Sequence, residues 1–171
     1  PCDEGNIAYR AAQSFFRESN IRDAGAAITV QKRIPIASGL AGGSTDAGAV
    51  LLLLNRLFQN PLSKETLLQV GGCRGADVPF CMTGGTALCS GRGEIITSLP
   101  SLEPIYVVIA RDGAGVSTGT AYHMLDEAYK DKLPQKPQIW NSLSVDGWGS
   151  VWASMYNIFE SVILPIHKEA A

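Results

Sequence analysis

Five stretches of the chain place apolar residues at the three- and four-residue spacing of an amphipathic helix. The first follows Asn6, a residue type that favours helix N-caps, and extends to about residue 19. The second starts at Ala47 and is apolar nearly all round, which predicts a buried helix. Ser63 is expected to cap the third. The last two cover residues 118–129 and 151–163, the final one ending near Pro165.

Alternating or β-branched runs predict strands over residues 26–33 and 104–110. Residues 85–90 and 94–99 flank Gly91-Arg92-Gly93, which is typical of a hairpin with a three-residue loop. The predicted order is helix, strand, helices, hairpin, strand, helices. A mixture of this kind favours an α+β fold over a regular βαβ series.

Composition narrows the class of protein. The 171 residues are 46% hydrophobic and 18% charged, which is globular composition for one domain or two small lobes. A formal charge of −2 argues against a nucleic-acid surface. The four cysteines show no C-x-x-C spacing, so reduced and mostly buried thiols in a cytoplasmic protein are expected, with no metal site. The longest apolar run is too short to span a bilayer. The chain does not begin with Met and is expected to be an internal piece.

The glycine-rich segment at residues 35–46 carries the strongest chemical signal. Glycines let backbone N–H groups approach a ligand, and the positive end of the next helix attracts anions. The segment therefore predicts a phosphate cradle, although it is neither a Walker A loop nor a dinucleotide fingerprint. A tight strand-to-helix turn that needs small residues is the alternative. Asp46 is expected in the first helical turn, where the helix dipole favours an acid without any metal.

Two further segments leave a structural and a functional interpretation open. Asp77, between Gly75 and Pro79, either accepts a proton from a hydroxyl nucleophile or caps a helix. Residues 115–118 open a helix, either as an ordinary cap or beside a ligand. Tyr122, one turn later, either joins the core or stacks on a ring.

These motifs occur in one order that resembles a known superfamily. The pattern Pro35-x-x-x-Gly39-Leu-Ala-Gly-Gly-Ser-Thr45 is similar to the phosphate-binding motif of the galactokinase, homoserine, mevalonate and phosphomevalonate kinases. The segments at 75–80, 84–87, 91–94, 115–126 and 157–160 resemble one branch of it. Members of that branch phosphorylate the 2-hydroxyl of 4-diphosphocytidyl-2-C-methyl-D-erythritol in non-mevalonate isoprenoid synthesis.

The resemblance implies a two-lobed small-molecule kinase fold, incomplete here, with residues 1–100 in an ATP-binding lobe and 101–171 beginning a substrate lobe. It implies ATP and Mg²⁺, a small-molecule acceptor, and neither nucleic acid nor membrane as partner. Asp77 matches the catalytic aspartate, the general base. Thr118 and Tyr122 match the region bordering the cytidine of the substrate. The positions matching the phosphate loop and the adenine surroundings are Pro35, Ile36, Ala37, Ser38, Gly39, Leu40, Ala41, Gly42, Gly43, Ser44, Thr45, Lys32, Asn6 and Ile7.

Two parts of the family pattern have no counterpart in this sequence: an opening segment with a Lys that partners the catalytic aspartate, and a closing glycine- and serine-rich loop. Without a charged partner in the transition state, an enzyme loses roughly 10²- to 10³-fold in rate. We therefore expect little or no activity from this exact chain. Another kinase of the superfamily and a non-catalytic nucleotide-binding module are the alternatives.

Overall fold

The computed structural model describes residues 3–36, 38–109, 116–130 and 147–166. The chain divides into two compact units, Pro1–Ser101 and Leu102–Ala171. The first contains α1 (Ile7–Glu18), α2 (Gly42–Leu57), α3 (Lys64–Gly72), α4 (Val78–Thr83), β1 (Ala87–Ser90) and β2 (Ile95–Ser98). The second contains α5 (Thr118–Ala128), α6 (Gly147–Ser154) and α7 (Glu160–Ile163).

Helices α1 and α2 form the centre of the first unit. The predicted cap is confirmed, since the Asn6 side chain accepts a hydrogen bond from the N–H of Ala8. Phe15 is fully buried and lies against the rings of Phe16 and Phe58, with centroids 5.6 and 6.0 Å away. The core also takes in α3 and the start of α4. Its buried members are Ala8, Ala11, Ala12, Phe15, Ala47, Val50, Leu51, Leu54, Leu62, Leu67, Val70 and Val78.

Helix α2 differs from its prediction in two ways. It begins at Gly42, five residues before Ala47, so Gly42 and Gly43 belong to its first turn rather than to a preceding loop. It is also buried on one face only, because Leu53 and Leu57 are 65% and 66% exposed. The consecutive leucines of this helix are therefore not all buried, and some of them form an exposed apolar surface.

The turn between α2 and α3 is held by a buried side chain that the sequence pattern did not single out. Asn55, 8% exposed, donates to the carbonyl oxygen of Leu62 and accepts from the Leu62 N–H, both at 3.1 Å. These two bonds satisfy backbone groups that would otherwise be buried without partners. The predicted cap of α3 is confirmed, with Ser63 accepting from the N–H of Thr66.

The predicted hairpin is confirmed, but its turn has four residues, 91–94, rather than the predicted three. Strands β1 and β2 pair antiparallel, with Ser90 opposite Ile95. The turn between them includes Gly91 and Gly93 at φ +70° and +126°, a region that suits glycine. The Glu94 carboxylate accepts from the N–H of Arg92 at 2.8 Å. Bonds from backbone N–H groups, with the Arg92 charge nearby, lower the pKa of Glu94.

The predicted strands at 26–33 and 104–110 are wrong. Within the described ranges the only ladder is that between β1 and β2. Val108 is 94% exposed, and Ile28 and Val30 are 38% and 40% exposed. A β-strand needs backbone hydrogen bonds to a neighbouring strand, so an alternating apolar and polar sequence is not sufficient to form one. Residue 110 lies outside the described residues.

In the second unit α5 packs against α7. Ser117 caps α5 by accepting from the N–H of Thr120. The single predicted helix over 151–163 is instead two short helices, α6 and α7. They are separated near Asn157, whose side chain accepts from the N–H of Phe159 at 3.1 Å. Such local bonds from an Asn side chain compete with helix continuation.

Two further expectations concern thiols and membranes. Cys73, Cys81 and Cys89 are free thiols, but Cys73 and Cys89 are exposed, so the expectation of mostly buried cysteines is wrong for these two. Cys2 lies outside the described residues. Within the part of the chain that the structure describes, no helix has the length and apolarity that crossing a membrane requires.

Candidate functional site

The N-terminus of α2 is the centre of the predicted phosphate cradle. Its N-cap residue, Ala41, has a left-handed backbone at φ +51° and provides no side-chain cap. The N–H of Thr45 bonds to the Ala41 carbonyl at 2.9 Å, which starts the helix. The leading N–H groups of any α-helix have no intrahelical acceptor. Those of Gly42, Gly43 and Ser44 therefore stand at the uncapped, positive end of a 16-residue helix.

Gly42 lies where no larger residue fits without displacement. A Cβ at this position would lie 2.9 Å from Ile34 Cγ2 and 3.0 Å from Lys32 Nζ. The Lys32 ammonium is thus held directly beside the first turn of α2. It forms an ion pair with Asp46, at 2.5 Å between Nζ and Oδ2. The expectation that Asp46 lies in the first turn of α2 is wrong, because the helix begins four residues before it.

The start of α1 and the segment before α4 meet the same turn through Ile7. Ile7 Cγ2 lies 3.5 Å from the Cβ position of Gly43, and Ile7 Cδ1 lies 3.5 Å from that of Gly75. Ser44 Oγ is 3.8 Å from the Cβ position of Gly75. Asn6, Ile7, the first turn of α2 and Gly75 are therefore neighbours, although about 70 residues separate the first from the last.

Asp77 directly precedes α4 and is exposed. It occupies the N-cap position, yet its side chain makes no capping bond. The alternative interpretation as a side-chain cap is therefore wrong. Partial burial raises the pKa of the Cys89 thiol in β1, and the negative charge of Asp77 raises that pKa further. A carboxylate not used in capping is available to accept a proton.

The hairpin turn supports the segment that carries Asp77. The Cβ position of Gly93 lies 3.5 Å from the Cβ and carbonyl oxygen of Ala76, and that of Gly72 lies 3.5 Å from Glu94 Cβ. The first turn of α2 contacts α4 as well, since Thr45 Oγ1 lies 3.6 Å from Cys81 Sγ. Packing from two sides thus fixes where Asp77 stands.

The remaining predicted loop residues lead into α2. Ser38 Oγ donates to the carbonyl of Pro35 at 2.8 Å, which closes a turn, and Gly39 has φ +71°. Ile36 is 78% exposed, and Leu40 is 40% exposed. Ala37 lies outside the described residues.

Thr118 and Tyr122 belong to the second unit and are described there by themselves. Thr118 is the exposed first residue of α5. Tyr122 is 56% exposed, so the core interpretation is wrong for it. Its ring meets that of Phe159 edge to face, with centroids 5.1 Å apart. Residue 115 of the helix-opening motif lies outside the described residues.

Within the described ranges, no three or more histidine, cysteine, aspartate or glutamate side chains lie close enough together to hold a metal ion. The glycine-lined end of α2 fits a phosphate chain, because its leading N–H groups have no intrahelical acceptor, the Lys32 ammonium lies beside Gly42, and Cβ atoms are missing at Gly42 and Gly43. Any Mg²⁺ would depend on nucleotide phosphates and water for most of its ligands.

Residues 6–85 match the family model described as "GHMP kinases N terminal domain". A protein of Clostridium perfringens named 4-diphosphocytidyl-2-C-methyl-D-erythritol kinase is 44% identical over 98% of this chain. One of Exiguobacterium sibiricum with the same name is 41% identical over 99%. The chain spans 58% of the length of each of these relatives.

A solved structure titled as a 4-(cytidine 5'-diphospho)-2C-methyl-D-erythritol kinase aligns with 96% of this chain and 58% of its own, with TM-score 0.71 and 28% identity. The predicted α+β class and kinase fold are thereby confirmed. So is the resemblance drawn from the glycine-rich loop and the motifs after it. Residues 6–85 match a GHMP kinase N-terminal domain, and the chain as a whole is similar to kinases in sequence and in fold.

Proposed function

We propose that this chain is part of an enzyme that transfers the γ-phosphoryl group of ATP to the 2-hydroxyl of 4-diphosphocytidyl-2-C-methyl-D-erythritol. The names of its relatives support this substrate, and the chain covers 58% of their length. The reaction belongs to non-mevalonate isoprenoid precursor synthesis, and we place the enzyme in the cytoplasm.

The observation that carries the proposal is the meeting of three segments around the start of α2. Ile7 lies 3.5 Å from the Cβ positions of both Gly43 and Gly75, and the uncapped Asp77 follows Gly75 after one residue. A protein catalyses phosphoryl transfer mainly by positioning the reactants and by stabilising the charge of the transition state. This arrangement provides N–H donors for phosphate oxygens, and it places Gly75, two residues before the Asp77 carboxylate, beside them.

In this proposal each group has one role. The N–H groups of residues 42–44 bind phosphate oxygens, and residues 39–41 and Thr45 complete the loop that wraps the phosphates. The Asp77 carboxylate accepts the proton of the attacking hydroxyl as the new P–O bond forms. Asn6, Ile7, Lys32 and Ile36 surround the adenine end, and Thr118 and Tyr122 border the cytidine of the acceptor. Bound with ATP, Mg²⁺ neutralises phosphate charge.

Two other functions are distinguishable by experiment. A second kinase of the superfamily would use a different acceptor, such as mevalonate or homoserine. A non-catalytic nucleotide-binding module would have no use for Asp77. In that protein Asp77→Asn changes nothing, whereas in the kinase it lowers turnover roughly 10²-fold or more and leaves ATP binding intact.

The test is acceptor-dependent ADP release by the product of the uninterrupted parent gene, supplied with Mg-ATP and each of the three acceptors. Release with the cytidylyl acceptor alone supports the proposal, and release with another acceptor reassigns the substrate. No release with any acceptor supports the binding module. The 171-residue chain, assayed beside the parent, tests the expectation of little activity, which equal turnover of the two would refute.

A further inference from the structure

Lys32 and Asp46 form an ion pair that links a segment without regular structure to the start of a helix. Fourteen residues separate them, and their charged atoms are 2.5 Å apart. Their side chains are 32% and 26% exposed, so water screens the pair only in part. Residues 31–33 themselves are exposed and belong to no helix or strand.

The surroundings of Lys32 show what the pair achieves. The absence of a side chain at Gly42 leaves room for the ammonium, which lies 3.0 Å from where a Cβ would stand. Lysine has a flexible four-carbon stem, so a segment without regular structure does not by itself hold its charge in one place. Among the described residues, Asp46 is the acid that pairs with it.

We infer that Asp46 is a positioning residue that holds the Lys32 ammonium beside Gly42, in the first turn of α2, where it contributes to binding the phosphate chain of the nucleotide. This inference rests on the proposed function, because it assumes that phosphate occupies the start of α2. In this inference the Lys32 ammonium interacts with the phosphates of the nucleotide rather than with its adenine end. It also gives Asp46 a role that neither the helix dipole nor a metal explains.

The inference reverses the expected sign of an electrostatic effect. An acid close to a polyanion repels it, so removing that acid ordinarily tightens binding. If Asp46 acts by positioning Lys32, its removal instead weakens binding, because the nucleotide must then order a free lysine side chain. Ordering such a side chain costs enough to weaken affinity roughly three- to tenfold.

The experiment is a double-mutant cycle on the 171-residue chain, with the Kd for ADP and for adenosine measured by calorimetry. Lys32→Met is expected to weaken ADP binding roughly 5- to 20-fold and adenosine binding less than twofold. Asp46→Asn is expected to weaken ADP binding three- to tenfold, with Asp46→Glu between it and the wild type. The double variant should match Lys32→Met within about twofold, because Asp46 acts only through Lys32.

Glu18→Gln is the charge-matched control. Glu18 ends α1, about 16 Å along the helix from Ile7 at about 1.5 Å per residue, and its loss should leave ADP affinity unchanged. The effect of Lys32→Met should also shrink as salt is raised, since the pair is partly exposed. A purely structural role for the pair would lower the Tm of every variant without these ligand and salt dependences.

Three results would overturn the inference while leaving the proposed function intact: tighter or unchanged ADP binding in Asp46→Asn, additive losses in the double variant, or equal losses for ADP and adenosine. Failure of the wild-type chain to bind ADP would instead count against nucleotide binding at this site, and the inference would fall with it. Weaker ADP binding that Asp46→Glu partly restores, with no further loss in the double variant, supports it.

Discussion

Gly42 and Gly43 stand next to each other in the first turn of α2, yet alanine should have opposite effects at the two positions. At Gly42 the added Cβ would lie 2.9 Å from Ile34 Cγ2 and 3.1 Å from Ile34 Cβ. At Gly43 the nearest atom is Ile7 Cγ2 at 3.5 Å, which is ordinary van der Waals contact. The two variants therefore share a chemical change and differ in the space available for it.

The magnitudes follow from two opposing contributions to the free energy of unfolding. Alanine is about 1 kcal/mol better than glycine inside a helix and gains less than that in the first turn, about 0.5 kcal/mol. Forcing a methyl group into filled space costs about 1–3 kcal/mol. At Gly42 the Lys32 side chain can move aside cheaply, but the β-branched Ile34 cannot. The net expectation is a loss of about 1 kcal/mol for Gly42→Ala and a gain of up to about 0.5 kcal/mol for Gly43→Ala.

Thermal and urea unfolding without ligand measure this difference. For a unit of about 100 residues, 1 kcal/mol shifts Tm by roughly 4–8 °C. Gly42→Ala should lower the urea midpoint without changing the m-value, since the surface exposed on unfolding is unaltered. Gly43→Ala is the matched control, because it makes the same substitution one residue along the same helix turn.

Two outcomes would refute the reasoning. If both variants shift Tm by the same amount and in the same direction, the contacts of Lys32 and Ile34 with Gly42 do not limit what fits there. If Gly42→Ala is more stable than the wild type, the segment at residues 32–34 moves away from α2 at no cost, and the ion pair to Asp46 would not hold it.

Three further predictions concern other parts of the first unit. Asn55→Ala should lower the free energy of unfolding by about 2–4 kcal/mol in urea titrations, because it leaves the buried N–H and carbonyl of Leu62 unpaired; a loss under 1 kcal/mol would contradict this. Ser63→Ala should cost about 1 kcal/mol through the lost cap, measured by Tm, with Ser63→Thr restoring most of it. Asp77→Asn should speed alkylation of Cys89 at pH 8, followed by mass spectrometry, because removing the carboxylate charge lowers the pKa of the thiol and raises its thiolate fraction. Unchanged alkylation would mean that Asp77 does not act on Cys89.

Features that depend on neighbours in sequence were predictable from the sequence. The caps at Asn6, Ser63 and Ser117 each bond an N–H two or three residues further along. The turn between β1 and β2 follows from glycines at positions of positive φ. The order of the motifs was also enough to find the resemblance to kinases, because the motifs are read from residue types and spacing.

Features that depend on distant partners were decided only by the tertiary structure. The alternation at residues 26–33 predicted a strand, but strand bonds come from elsewhere in the chain, and no ladder forms there among the described residues. The apolar sequence of α2 predicted complete burial, but the packing of α1, α3 and α4 covers one face and leaves Leu53 and Leu57 exposed.

The chemistry of the site shows the same division. Its glycines and Asp77 are visible in the sequence. That the Asp77 side chain makes no capping hydrogen bond follows only from the backbone and side-chain geometry. The pairing of Asp46 with Lys32 joins residues 14 positions apart, and local propensity says nothing about such a contact. The sequence therefore determined which groups this protein has at the proposed phosphate site, whereas the fold determined which of them stand together, because charge and steric contact act through space rather than along the chain.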